Sequence, residues 1–210
     1  MISGGKDFHG PNENSPLHCL SRELRIARTA LGLTWKADRK KPLPLGVGFI
    51  LFHPSVSQFV KNAIPFLRRH RPRAVWLFVP PPRGRRPGKY PDANFPEGVV
   101  ASIIAVLRAN DFVVFFQVGN VSAARQAVKD GADVIVAQGI DAGGHQFVNG
   151  CGVISLDSEV VDMVEREFPE KGVVVVSAGG IADGRGVVAC MALGECLYRK
   201  GWCCCCCERC

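Results

Sequence analysis

"GADVIVAQGIDAGGHQFVNG", residues 131–150, is the stretch that decides the fold. Its first half is an apolar run that ends at Gln138, and its second half contains an aspartate, two adjacent glycines and a histidine. A short apolar run bounded by turn residues is typical of a strand buried on both faces. Because glycine permits backbone conformations closed to other residues, the stretch predicts a buried strand that ends in a loop able to approach a ligand closely.

Apolar runs of the same kind alternate with amphipathic segments along the chain. The predicted strands are 43–52, 73–80, 111–119, 132–139 and 173–181, and the predicted helices are 15–33, 55–70, 97–110, 120–131, 156–172 and 182–195. The first five residues, "MISGG", read as the end of one more strand. This alternation predicts parallel strands joined by helical crossovers, in either a doubly wound sheet or a (β/α)₈ barrel.

Several helix ends have recognisable start and stop residues. Asn120 is predicted to cap the helix 120–131 at its N-terminus, and Gly131 to end it. Ser55 is predicted as the N-cap of the helix 55–70. The helix 156–172 is predicted to begin with acidic residues in its first turn, where they favour the helix dipole.

Glycines and polar residues gather where three of the predicted strands end, in "FFQVG" (115–119), "VAQGIDAGGH" (136–145) and "VSAGGI" (176–181). A barrel builds its active site from the carboxyl ends of several strands. The distribution therefore favours a TIM-type (β/α)₈ barrel. A complete barrel takes about 250 residues, so this chain is predicted to contain an incomplete one, with about five to six β/α units.

The segment "SAGGIADGRG" (177–186) joins a predicted strand to a helix through Gly179 and Gly180. Backbone N–H groups at such a turn, together with the helix N-terminus, favour an anion such as a phosphate. The alternative is a tight turn that needs glycine for its own geometry.

The loop after the strand 132–139 contains a candidate catalytic group. The amide of Gln138 suits the edge of a heteroaromatic ring because it both donates and accepts hydrogen bonds. Because histidine side chains ordinarily titrate near neutrality, His145 is a candidate base for a carbon acid, and Asp141 is a candidate for orienting the loop. The alternative is a structural or surface histidine, which is how we interpret the residues His9, His18, His53 and His70.

The net charge of +7 is concentrated in "RRHRPR" (68–73) and "RGRRPGK" (83–89). No aromatic residues are interleaved with these runs, so solvated loops are favoured over a nucleic-acid interface. No apolar run is long enough to cross a bilayer, and the N-terminus has no signal-peptide pattern. We therefore expect a cytoplasmic protein with no membrane and no nucleic-acid partner.

Seven of the ten cysteines fall in the final segment "CLYRKGWCCCCCERC". Five adjacent cysteines cannot present the tetrahedral ligand set of a zinc site, and the pattern is not a disulfide framework. We therefore predict no metal site. Residues 1–195 are predicted to form the partial barrel domain, and 196–210 a cysteine-rich, low-complexity, disordered tail.

"GADVIVAQGIDAGGH" (131–145), followed by "VVVSAGGIADGRGVVACMALG" (174–194), resembles the nitronate monooxygenase family, also called 2-nitropropane dioxygenases. The resemblance extends over roughly 40–194 and is densest in its last third. It implies a TIM barrel that binds FMN and oxidises alkyl nitronates or nitroalkanes with O₂ to a carbonyl compound and nitrite. The start and end of the match indicate a chain truncated at both ends.

The resemblance also implies roles for individual residues. His145 would be the catalytic base or would hold the nitro group. The residues expected to contact FMN are Gln138, Gly139, Gly143 and Gly144, with Gln117 as a further candidate, and Gly179 and Gly180 would bind its phosphate. Asp141 stands where the family commonly has Glu.

Three alternatives remain open. An FMN-dependent enoyl reductase on the same barrel would have similar motifs, and would use a nicotinamide donor. A truncated, non-catalytic family member would keep the motifs without a working site. A basic nucleic-acid-binding module rests on the arginine runs alone.

Overall fold

The computed structural model describes residues 2–3, 16–34, 40–51, 54–78, 98–144, 146–147 and 149–193. The chain forms two compact units, Met1–Val114 and Phe115–Cys210. Several features singled out in the sequence lie outside the described residues: the Pro/Arg-rich segment 80–96 with its arginine run 83–89, the cysteine-rich tail 196–210, and the residues His9, His53 and His145. Within the described ranges, no helix combines the length and apolarity that crossing a bilayer requires.

The first unit is built from parallel strands alternating with helices. In chain order its elements are β1 (Ile2–Ser3), α1 (Pro16–Ala30), β2 (Leu43–Ile50), α2 (Phe59–His70), β3 (Pro72–Phe78) and α3 (Val99–Arg108). β1 pairs in parallel with β2, and β2 with β3. The predicted strand end at the N-terminus is therefore confirmed.

The helix α2 buries one face, which contains Phe59, Ala63 and Leu67 at a spacing of four residues. The ring of Phe59 packs edge-on against that of Phe49 in β2, with centroids 5.2 Å apart. The prediction of Ser55 as N-cap is wrong: Ser55 lies buried in a 3-10 turn, Pro54–Gln58, and Gln58 is the residue that precedes α2. Proline fixes φ near helical values, so the chain begins to wind before the α-helix starts.

A buried side chain of this unit binds the backbone just before two of its strands. The guanidinium of Arg28 is 3% exposed and donates to the carbonyl of His70 at 3.1 Å and to that of Lys41 at 3.3 Å. The His70 ring is also buried and shares a 3.0 Å hydrogen bond with the hydroxyl of Ser21. Burial and the nearby cations, first of them Arg69, lower the pKa of His70 to about 4. His70 is thus structural, as predicted.

The second unit repeats the alternation. β4 (Val113–Val118) begins in the first unit and ends in the second, and is followed by α4 (Val121–Asp130), β5 (Val134–Gln138), α5 (Val153–Glu167), β6 (Val174–Ala178) and α6 (Gly184–Ala192). β4 pairs in parallel with β5, and β5 with β6. Strands adjacent in the chain and parallel in space agree with the predicted pattern.

The predicted ends of α4 are confirmed. The Asn120 side chain accepts a hydrogen bond from the N–H of Ala123 at 2.9 Å. Gly131 follows the helix with φ 101°, and its N–H donates to the carbonyls of Ala127 and Val128. A short polar side chain at the start and a left-handed glycine at the end are both readable in sequence because they satisfy the orphan backbone groups locally.

The sequence predicted a helix over 156–172 with acidic residues in its first turn, and both its start and its first turn are wrong. The helix begins at Val153, so its first turn has no acidic residue, and Asp157 is fully buried. The carboxylate that serves the helix start comes from another segment: Asp141 accepts from the N–H of Val153 at 3.3 Å. A cap supplied across twelve residues of chain is invisible to local sequence patterns.

Candidate functional site

The hydroxyl of Ser177 in β6 donates to the carboxylate of Asp157 in α5, and both groups are buried. Ser177 therefore faces the helix α5. Successive side chains of a strand point to opposite faces of the sheet, so Ala178 points away from α5. Gln138 is the register partner of Ala178 on β5, and therefore lies on the same face, turned away from the helix.

Gln117 lies on this face too. Its register partner on β5 is Val136, two residues before Gln138. The two side chains meet: Nε2 of Gln117 donates to Oε1 of Gln138 at 2.6 Å. Gln138 is 9% exposed and Gln117 is half-buried. The structure thus brings together the two glutamines that the sequence placed at the ends of different strands.

The loop after β5 is held by hydrogen bonds to its surroundings. The N–H of Gly139 donates to the carbonyl of Ala178 at 2.9 Å, and that of Ile140 to the carbonyl of Cys151 at 3.0 Å. The side-chain amide of Gln146 donates to the carbonyl of Ile140 at 3.1 Å and also to that of Ala142. Residues before the glycine pair and Gln146 after it are therefore both fixed by hydrogen bonds.

The glycines of this loop have different surroundings. A Cβ on Gly139 would lie 2.6 Å from the backbone nitrogen of Val153, so this glycine allows the loop to pack against the start of α5. A Cβ on Gly143 or Gly144 would meet no atom of the described residues within 4 Å. Gly144 has φ 82°, which favours glycine, whereas Gly143 has neither a positive φ nor a neighbour that requires it.

The turn after β6 packs directly on the loop after β5. Gly179 and Gly180 have φ 89° and 73°. A Cβ on Gly179 would lie 2.6 Å from that of Ala142, and a Cβ on Gly180 2.8 Å from that of Asp141. The two sequence motifs thus lie against each other, and the absence of a side chain at the glycine pair makes that approach possible.

The N–H groups of Gly179 and Gly180 donate to no acceptor among the described residues. Successive backbone N–H groups in a turn can form a concavity suited to an anion. This donor set fits a phosphate group.

The N-terminus of α6 differs from the sequence-based expectation of an open anion site. The carboxylate of Asp183 accepts from the N–H of Arg185 at 2.9 Å and from that of Gly186 at 3.4 Å. It also contacts the guanidinium of Arg185 at 2.6 Å, and these hydrogen bonds lower the pKa of Asp183. Because a carboxylate already caps the helix, a phosphate here would be served by the turn at Gly179 and Gly180.

Four residues near these loops were not singled out by sequence reasoning. They are Gln146, Asp157, Ser177 and Asp183. Only Asp183 has a local signature, because it directly precedes α6 as N-caps do. The contacts of the other three join residues that only the folded chain brings together. The predicted roles of the site residues, His145 among them, remain predictions.

The geometry can be compared with known proteins. A family model described as nitronate monooxygenase matches residues 97–196. A nitronate monooxygenase of Neurospora crassa is 53% identical over 200 residues, which are 92% of this chain and 50% of that protein. The chain thus spans about half the length of this curated relative.

Solved structures indicate the same architecture. A nitroalkane oxidase from Streptomyces ansochromogenes is similar with a TM-score of 0.60 and 20% identity, over 92% of this chain and 55% of its own. FabK from Thermotoga maritima has a TM-score of 0.55 and 26% identity, over 83% of this chain and 44% of its own. These are TIM-barrel-type structures, which confirms the barrel class over the doubly wound sheet. The chain belongs to the nitronate monooxygenase family of oxidoreductases.

Proposed function

We propose that the protein is an FMN-dependent oxidoreductase that oxidises alkyl nitronates or nitroalkanes with O₂ to a carbonyl compound and nitrite. The observation that carries the proposal is the contact between the two motifs: Gly179 and Gly180 pack on Ala142 and Asp141. This contact joins the candidate ring-binding loop to the candidate phosphate turn, at strand ends that also hold the glutamine pair.

The residues assigned to FMN offer the donors that its two ends require. The N–H groups of Gly179 and Gly180 would hold the phosphate, and the amides of Gln117 and Gln138 would face the ring edge. No described atom lies within 4 Å of where a Cβ on Gly143 or Gly144 would be, so among the described residues nothing would keep a flat ring from the backbone there. Bound FMN would supply the electron acceptor for substrate oxidation and the group that reacts with O₂.

His145 is proposed as the catalytic base. A neutral nitroalkane must lose the proton on the carbon that bears the nitro group, whereas a nitronate has already lost it. His145 would take that proton, or would hold the nitro group of a nitronate by a hydrogen bond. The net reaction consumes two nitronates and one O₂ and gives two carbonyl compounds and two nitrite ions. At each carbon the bond to nitrogen breaks, a bond to one oxygen atom of O₂ forms, and the nitrogen leaves as nitrite.

The first experiment is to purify the 210-residue chain, record its visible flavin spectrum, and add a nitronate without oxygen. We expect bound flavin that bleaches with nitronate, and nitrite on admission of air. In His145→Ala, turnover of a neutral nitroalkane should fall by about 10²–10⁴-fold, the usual contribution of general acid–base catalysis. Turnover of the preformed nitronate should fall by less.

The matched control is His18→Ala, which removes an exposed histidine of α1. It should leave both rates unchanged. A chain that binds no flavin would contradict the proposal and favour the non-catalytic alternative. Flavin that is reduced by a nicotinamide donor but not by nitronate would instead favour the enoyl reductase alternative.

A further inference from the structure

Gln146 ties together the two ends of the turn that contains the glycine pair Gly143–Gly144. Gln146 is half-buried, and its side-chain amide donates to the carbonyl of Ile140 at 3.1 Å and also to that of Ala142. Because the amide nitrogen of glutamine has two hydrogens, it can serve both carbonyls at once. One side chain after the glycines is thus fastened to two backbone groups before them.

The residues before the glycine pair have further contacts that do not involve Gln146. The N–H of Gly139 donates to the carbonyl of Ala178 at 2.9 Å. The N–H of Ala142 donates to the carbonyl of Gly139 at 3.1 Å, and Ala142 packs on Gly179. Removal of the Gln146 side chain should therefore leave residues 139–142 in place and free the chain that follows them.

The glycine pair itself supplies little restraint on that chain. Gly143 and Gly144 are exposed, and a Cβ on either would meet no atom of the described residues within 4 Å. Glycine also has the widest backbone freedom of all residues. The fastening of Gln146 therefore limits the paths that the chain can take from Gly144 onward. His145 lies between these two residues in the sequence.

We propose that Gln146 is a positioning residue for the base. By tying the chain directly after His145 to the carbonyls of Ile140 and Ala142, it restricts the backbone from which the His145 side chain reaches the substrate. The inference rests on the proposed function, in which His145 takes a proton from a neutral nitroalkane. Proton transfer needs a base about 3 Å from the atom that bears the proton, and a misplacement of about 1 Å can lower the rate by about 10²-fold.

The first measurement is the backbone order of the glycine pair in the flavin-free chain. The sequence contains three Gly-Gly pairs, Gly4–Gly5, Gly143–Gly144 and Gly179–Gly180. When glycine alone is labelled with ¹³C and ¹⁵N, an NMR spectrum that correlates each amide with the preceding carbonyl contains only the second glycine of each pair. Single variants assign these signals.

In Gln146→Ala the N–H order parameter of Gly144 should fall from about 0.85, typical of rigid backbone, to about 0.6 or below. That of Gly180 should stay the same, because the turn after β6 keeps its contact with Ala142. An unchanged order parameter at Gly144 overturns the inference.

The second measurement compares turnover of a neutral nitroalkane with turnover of its preformed nitronate, followed by nitrite release. Gln146→Ala should lower nitroalkane turnover by about 10–100-fold, and nitronate turnover by no more than about threefold, because the nitronate has already lost its proton. Gln146→Glu keeps the size of the side chain, but a carboxylate has no donor. At neutral pH it should therefore lose as much as Gln146→Ala.

The matched control is Gln126→Ala. It removes an exposed amide of α4 that donates to Asp130 on the same helix, and it should keep both rates. Dissociation constants for FMN within about twofold of the wild type, together with equal circular dichroism spectra, would establish that the losses are not due to unfolding.

The outcomes separate the two proposals. Equal losses with both substrates would show that Gln146 does not act on the base, and would overturn the inference while keeping the proposed function. Full activity in Gln146→Glu would overturn it as well, because that variant cannot fasten the loop. A wild-type chain that binds no flavin overturns the proposed function, and this inference with it.

Discussion

The two units use buried polar groups at opposite ends of their strands. In the first unit, the Arg28 guanidinium donates to the carbonyls of Lys41 and His70, which lie just before β2 and β3. The buried ring of His70 shares a hydrogen bond with the hydroxyl of Ser21. In the second, Gln117 and Gln138 lie at the carboxyl ends of β4 and β5. In barrel enzymes the amino ends of strands serve stability and the carboxyl ends hold the chemistry. A buried polar side chain by itself therefore does not indicate a functional site, whereas its position at the carboxyl end of a strand does.

The largest loss of stability should come from disturbing the contact between the turn after β6 and the loop after β5. Gly179→Ala places a Cβ against Ala142 and requires a left-handed alanine. Strain and overpacking together should lower the free energy of unfolding by about 3 kcal/mol. Gly172 has φ 60°, and a Cβ there would meet no atom within 4 Å in the part of the chain that the structure describes, so Gly172→Ala is the matched control and should lose only about 1 kcal/mol. Urea unfolding measures both.

Equal losses in these two variants would mean that the contact of the turn with Ala142 does not matter for stability. Retained FMN binding in Gly179→Ala would further argue against a phosphate site at this turn.

The next effect is a loss of stability of the first unit as pH falls, caused by the buried His70. The folded-state pKa of His70 is about 4, against an ordinary value of 6.5. The unfolded chain therefore binds a proton more readily, so the contribution of His70 to stability falls as pH drops below 6.5 and levels off below 4. Between pH 7 and pH 5 the loss should be about 2 kcal/mol.

The measurement is urea unfolding of the wild type and His70→Gln at both pH values. Because carboxylates also titrate in acid, the difference between the two chains is the quantity that matters. If His70→Gln keeps the full pH dependence, His70 is not the buried neutral group that the structure indicates.

A smaller loss of stability should show whether Asp141 acts as the acceptor for the start of α5 or through its charge. Asp141→Ala removes the acceptor of the Val153 N–H and should lower the free energy of unfolding by about 1 kcal/mol, as the loss of an N-cap does. Asp141→Asn keeps a side-chain oxygen at that position and should retain most of the stability. Thermal or urea unfolding of the two variants decides. Identical losses would mean that the charge of Asp141, and not its cap, stabilises the loop.

Much of the fold was predictable because its causes are local. Asn120 and Gly131 satisfy backbone groups of their own helix, and the apolar run before Gln138 forms a strand with every residue buried. The glycine pair at 179–180 predicted a turn between strand and helix, either a phosphate-binding turn or one that needs glycine for its own geometry, and both residues have positive φ.

The sequence by itself determined the alternation of strands and helices, the two motifs and the family, since these depend on residue type and short-range order. Tertiary structure decided which side chains meet. It moved the start of α5 to Val153, beside the carboxylate of Asp141, and it buried Asp157 against Ser177. It also joined Gln117 to Gln138. The physical reason is that each of these contacts spans two elements, so its geometry depends on strand register and helix packing, which no local pattern specifies.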